Sequence, residues 1–111
     1  MTGTSGYSVL DLGAAEDIPA AGIHSRTVHS DGVKMVLFGF AAGEELSEHT
    51  ASRAAIIHVL SGAFDLTLAG QPVDAPAGVV VHMAPGLPHA LRARVPSRML
   101  LTLIPEGAPG R

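Results

Sequence analysis

The stretch "EHTASRAAIIHVLSG", residues 48–62, sets an imidazole, His58, inside an apolar run and places a second one, His49, nine positions upstream. "AAIIHVLSG" (54–62) reads as a β-strand closed by a turn at Gly62, because β-branched residues cluster there and glycine punctuates the end. Immediately downstream, "AFDLTLAG" (63–70) alternates, with Phe64, Leu66 and Leu68 on one face and Ala63, Asp65 and Thr67 on the other. The two runs form a hairpin, and the chain on either side repeats the pattern. "AGIHSRTVHS" (21–30) and "VKMVLFGF" (33–40) are strands separated by the turn signal "SDG" (30–32). "VVVHMA" (79–84), "ALRARV" (90–95) and "RMLLTLI" (98–104) are three more, with the proline-bounded turn "PGLPH" (85–89) between the first two. Residues 41–46 read as a polar connection and 70–78 as turn material. No segment sustains a helical period of 3.6. Short strands at short intervals, with Gly and Pro between them, imply an all-β sandwich or barrel. The expected layout is one domain: an arm and first strand at 1–32, a barrel at 33–104 and a tail at 105–111.

Composition narrows the function classes. The chain has 111 residues, enough to bury a core without disulfides or a structural metal. There is no cysteine, which excludes cystine frameworks, thiolate metal sites and cysteine nucleophiles. Net charge is −3, Lys34 is the one lysine, and Phe and Tyr total four. A nucleic-acid partner wants a basic face with stacking rings, so none is expected. The N-terminal "MTGTSGYSVLDLG" has neither a basic region nor an apolar region of a secretory signal, and no apolar run reaches the roughly 18 residues of a membrane span. No membrane partner is expected, and a cytoplasmic location is. Exposed edges in so small a sheet protein need cover, which makes a homodimer the expectation, with residues 1–30 packing on a second copy.

Two segments, in this order, resemble the two motifs of the cupin family. The first motif runs Gly, five residues, His-x-His, three or four residues, Glu, six residues, Gly. "GEELSEHTASRAAIIHVLSG" supplies Gly43, His49 and Gly62 in register, with Ala51 at the second His and Ala55 at the Glu. The second runs Gly, five residues, Pro-x-Gly, two residues, His, three residues, Asn. "GVVVHMAPGLPHALRA" supplies Gly78, Gly86 and His89, with Ala84 at the Pro and Ala93 at the Asn. The 15 residues between the motifs match the short loop of small bacterial RmlC-like cupins. The resemblance covers roughly residues 33–104. It implies a double-stranded β-helix, a jelly-roll barrel with its site inside the mouth, and a degenerate first motif. The family spans metal-dependent dioxygenases, isomerases, epimerases, decarboxylases, storage proteins and ligand-sensing modules, so the fold by itself fixes no reaction.

The resemblance places His49 and His89 at metal-ligand positions, and they are the catalytic candidates. Neutral imidazole suits iron, zinc, nickel, copper or manganese, and a divalent transition metal is the expected cofactor. A pair of pocket histidines that only hydrogen-bond a ligand is the alternative. His58 has two readings. Alternation counted from Ala55 turns it away from the barrel, whereas a bulge before Ile57 turns it inward. Three protein ligands are usual for a catalytic metal, which favours His58 as the third. His82, on a strand expected beside that of His58, shares its face and is a possible additional ligand. His24 and His29, five apart, are expected on opposite faces as surface or dimer-contact residues. Glu44, Glu45 and Glu48 are either partners for the His49 ring or a solvated acidic turn, and Arg53 either draws an anion to the mouth or is a surface residue. Phe38, Phe40, Ile57, Val59, Met83 and Met99 are candidate substrate-lining residues. The leading expectation is a small metal-dependent oxygenase acting on a small, weakly charged organic substrate. Its alternatives are a non-catalytic cupin that binds a small molecule, or a metal-independent isomerase or cyclase with a pocket His as base.

Overall fold

The computed structural model describes residues 6–13 and 18–105. Every regular element among them is a strand, in the order β1 (Ile23–Asp31), β2 (Val33–Phe40), β3 (Glu45–His49), β4 (Ala55–Ser61), β5 (Ala63–Leu68), β6 (Gln71–Pro76), β7 (Val80–Met83), β8 (His89–Ala93) and β9 (Ser97–Leu103). They form two antiparallel sheets. The first has the order β1-β2-β9-β4-β7 and the second β3-β8-β5-β6. The chain crosses between sheets from β2 to β3 and back from β3 to β4, and repeats this with β7, β8 and β9, which is the jelly-roll topology.

Two of these strands are not read from sequence: β3 begins within the segment 41–46, read as a connection, and β6 lies within 70–78, read as turn. Both are edge strands of the smaller sheet. Only Leu46 is better than exposed in β3. In β6, prolines occupy two of six positions. An edge strand tolerates missing ladder donors and a polar outer side, so it lacks the periodicity and β-branched content that mark a strand.

Register fixes which side chains point into the barrel. In the first sheet Lys34, Leu103, Ala55 and Met83 lie side by side across β2, β9, β4 and β7. Below them come Val36, Leu101, Ile57 and Val81, then Phe38, Met99 and Val59, and last Phe40 beside Ser97. The second sheet answers with His49, His89, Leu68 and Gln71, then Leu46, Leu91, Leu66 and Val73, then Ala93, Phe64 and Ala75. Phe40, Ile57, Val59, Phe64, Leu66, Leu91 and Met99 belong to one buried core. As the alternation of β5 predicts, Phe64 and Leu66 are buried and Asp65 is exposed, with Leu68 and Thr67 both half-buried.

One end of the barrel is shut. The Phe40 and Phe64 rings meet edge to face, with centroids 5.0 Å apart, and join the two sheets there. Ser97 Oγ donates to Val95 O at 2.7 Å and accepts from Ala63 N at 3.0 Å. The β4–β5 turn passes so close that a Cβ on Gly62 would fall against Ser97 Oγ and 2.5 Å from Pro96 O, and its φ of +78° favours glycine in any case. The opposite end is rimmed by loops 50–54 and 84–88 and by the turns 31–33 and 69–70. Gly86 N donates to Ala51 O at 2.8 Å and Ala69 N to Pro88 O at 2.9 Å, which ties those loops into one rim.

The outer face of the first sheet carries a second apolar strip. Leu37 and Leu100 are buried there, outside the barrel core. Residues 6–13 run over this side. Arg98, itself buried, donates to the Leu12 carbonyl, and a groove of about 390 Å³ lies between Tyr7, Ser8 and Leu10 of the arm and His29, Asp31, Val33 and Met35. His24 and His29, expected on opposite faces, share this one. The β1–β2 pairing slips between Thr27 and His29, so both end opposite outward residues, Gly39 and Met35. The bulge cancels the odd spacing. The expected tail beyond residue 105, and residues 1–5 and 14–17 of the arm, lie outside the described residues.

Candidate functional site

His49 closes β3 and His89 opens β8, and the register sets them directly opposite each other at the open end. Their ring centroids are 4.2 Å apart, with planes inclined by 60°. His89 is buried and His49 exposed, so the pair spans the step from barrel interior to solvent. Two backbone features bring them together. In β3 the pairing slips between Leu46 and His49. This bulge gives Leu46 and His49, three apart, the same inward direction; a regular strand would turn Glu48 to His89 instead. On the other side the turn at 85–88, with Gly86 at φ +80°, delivers His89 to the start of its strand.

Both rings are anchored in the same way. His49 Nδ1 donates to Ser47 O at 2.8 Å, and His89 Nδ1 to Leu87 O at 2.8 Å. A carbonyl only accepts, so the proton is on Nδ1 in the neutral ring and Nε2 carries the lone pair. Neither Nε2 has a partner among the described residues. The mouth therefore presents two adjacent acceptors that suit a donor on a bound molecule, a proton or a cation.

The carboxylates considered as partners for His49 stand elsewhere. Glu44 Oε2 accepts from Gly22 N at 3.3 Å near the shut end. Glu45 pairs with Arg92 on the outer face of the second sheet, and Glu48 is exposed in the bulge. The anchoring acceptors are backbone carbonyls on irregular chain, which side-chain spacing does not reveal.

His58 is not brought to the pair. No bulge separates Ala55 from Ile57, so alternation runs on: Ala55, Ile57 and Val59 are buried inside and His58 points out. His82 lies on the same outer face, opposite Ile56 and diagonal to His58. The third ligand drawn from this strand is thus corrected, and His82 as an additional ligand with it. Among the described residues no group of three His, Cys, Asp or Glu is placed to hold a metal. Ala51 and Ala55 occupy the positions where a further imidazole and a carboxylate would stand. Two imidazoles fall short of the three protein ligands of an ordinary catalytic metal site, and the donor set does not fit a resident ion of that kind.

All six candidate lining residues face inward, but at different depths. Met83 lies in the rim row and Ile57 in the next. Phe38, Val59 and Met99 lie in the third row, and Phe40 belongs to the plug at the shut end. With about 6.6 Å per two-residue step, Phe40 is roughly 20 Å below the rim. The rows nearest the histidines hold Lys34, Val36, Leu68, Leu101 and Leu103, which sequence reasoning did not select. Pairing register identifies them, and a single strand read alone does not.

Residues 36–105 match the model of the family described as "Cupin domain". No curated protein sequence matches the chain. Among solved structures, a cupin superfamily protein from Desulfitobacterium hafniense shares 28% identity, with a TM-score of 0.72 over 79% of this chain and 84% of that one. An RmlC-like cupin protein from Desulfovibrio desulfuricans shares 26%, with a TM-score of 0.76 over 87% and 97%. A salicylate 1,2-dioxygenase from Pseudaminobacter salicylatoxidans shares 15%, with a TM-score of 0.69 over 78% of this chain and 27% of that one, a likeness of fold alone. Among the described residues no helix is long and apolar enough to cross a membrane.

Proposed function

The chain belongs to the cupin domain family, and on that premise we propose that it takes up a small organic molecule at the open end of its barrel, held by Nε2 of His49 and Nε2 of His89. One observation carries this reading: both rings spend Nδ1 on a backbone carbonyl, and neither Nε2 has a partner among the described residues. The body of the molecule packs on the apolar rows beneath. The chemistry this pair supports unaided is proton transfer. One Nε2 takes a proton from the bound molecule and returns it at another atom, which is the balance of an isomerisation. His49 and His89 are then the catalytic residues, with Ile57 and Met83 as lining.

The second reading is a metal-dependent oxygenase, whose ligand set the His pair does not complete by itself. The third donor in that case has to come from the bound molecule, since Ala51 and Ala55 supply none. Elemental analysis of untagged protein after dialysis against a chelator separates the two. The first reading expects much less than one metal per chain, in wild type and in His58→Ala alike. One tightly held ion per chain, lost in His49→Ala and in His89→Ala, moves the conclusion to the oxygenase.

The first reading is tested with protein labelled at histidine. Titration with small enolisable carbonyl compounds should move the ring resonances of His49 and His89 and leave those of His58 and His82 in place. Binding that survives the double change His49→Ala, His89→Ala would remove the site from the mouth. A cytoplasmic homodimer, with the arm and β1 against a second copy, completes the proposal. Light scattering that gives a monomer at micromolar concentration contradicts the dimer.

A further inference from the structure

We infer that the mouth selects a small organic carboxylate bearing a hydroxyl or enol group, and that Lys34 holds its anionic end. This rests on the reading of His49 and His89 as the ligand-holding pair and adds the class of molecule.

The inward-facing strand positions are almost all apolar. From the register, those of β2, β9, β4 and β7 are apolar apart from Lys34 and Ser97. Those of β3, β8, β5 and β6 are apolar apart from His49, His89 and Gln71. Ten acidic residues are present in the chain, and none of them occupies an inward position on these eight strands. The one charged side chain that faces into the barrel from them is the chain's one lysine.

Its place is at the rim. Lys34 lies in the row of Leu103, Ala55 and Met83, directly after the β1–β2 turn. That row is at the end where β3 finishes with His49 and β8 begins with His89. Packed sheets lie about 10 Å apart, and a lysine stem covers much of that distance. Lys34 is exposed and has no ion-pair partner among the described residues. Its neighbour across β1 is Ser30, not a carboxylate. By contrast Arg94, on the outer face of the second sheet, is engaged by both Asp65 and Asp74.

The two ends of the mouth then demand different things. The Nε2 lone pairs of neutral imidazoles repel a carboxylate and accept from a hydroxyl or enol. The Lys34 ammonium has donors only and takes the carboxylate. A molecule with one group of each kind is bound in one orientation, its apolar part over Leu103 and Met83. Arg53, half-buried in the rim loop 50–54, adds a second positive charge at the same end.

The test uses 4-hydroxybutanoate and its neutral analogue 4-hydroxybutanamide, titrated into the full chain at low salt with the histidine rings as reporters. Wild type should bind the carboxylate about tenfold more tightly or better, the factor of a charge-assisted hydrogen bond. Lys34→Gln, a change at an exposed rim position, should remove that preference by weakening the carboxylate more than the amide. Lys34→Glu should reverse the preference toward 4-aminobutanol. Arg53→Gln should leave most of the preference in place. If the two rings respond to both compounds with equal affinity, or the preference survives Lys34→Gln, the inference fails while the reading of the site stands. If neither compound moves the rings, both fail.

Discussion

The chain carries two pairs of histidines on neighbouring strands, and the structure treats them oppositely. His49 and His89 face each other across a bulged ladder at the mouth. His58 and His82 sit diagonally on a regular ladder and point outward. The first pair is anchored at Nδ1 by carbonyls of the bulge and the rim loop, and among the described residues no such anchor holds the second. The same side chain in similar surroundings thus becomes a site or a surface residue according to local backbone irregularity. Apolar neighbours give no information about which of the two a histidine is.

The largest effect that bears on this contrast is on stability. Ile57 is 1% exposed, whereas Ile56 shares the outer face with His82. Ile57→Ala should cost about 2–5 kcal/mol in urea unfolding, the usual range for a core truncation, and Ile56→Ala clearly less. Equal or inverted costs would mean that β4 is turned over and that His58 faces inward. Next in size is ligand affinity. His49→Ala and His89→Ala should each weaken 4-hydroxybutanoate by about 0.5–1.5 kcal/mol, roughly two- to twelvefold, by calorimetry. His58→Ala and His82→Ala should leave the isotherm unchanged, and a loss with either breaks the contrast. The smallest effect is spectroscopic. Nitrogen-15 shifts of the neutral rings should report the Nδ1–H tautomer for His49 and His89. His29, whose Nε2 meets Asp31 O at 3.1 Å, should report the other tautomer. An Nε2–H form of either mouth histidine would remove the basis for treating that atom as the acceptor.

Much of the fold is legible in the sequence because strands such as β5 are half-buried and show it in alternation. β3 and β6 are not legible, since an edge strand has little buried face to record. For the site, the glycine-anchored motifs indicate His49 and His89 correctly as neighbours. Strand parity counted from Ala55 gives the true direction of His58, and the preference for a third metal ligand runs against it. Lys34 went unselected because its partners in the rim row come from β9, β4 and β7, and pairing of distant strands is not written in any single segment.

The bulge in β3 has a consequence for descent. A one-residue length change in a strand ordinarily inverts every side chain beyond it. Between Leu46 and His49 the opposite holds: deletion of Ser47 would restore plain alternation and still leave His49 turned toward His89. What such a lineage would lose is the Ser47 carbonyl, and with it the fixed proton on Nδ1. Gaps at this point among related chains are therefore expected to separate acceptor sites from sites whose histidine is free to donate, with the barrel unchanged on both sides of the gap.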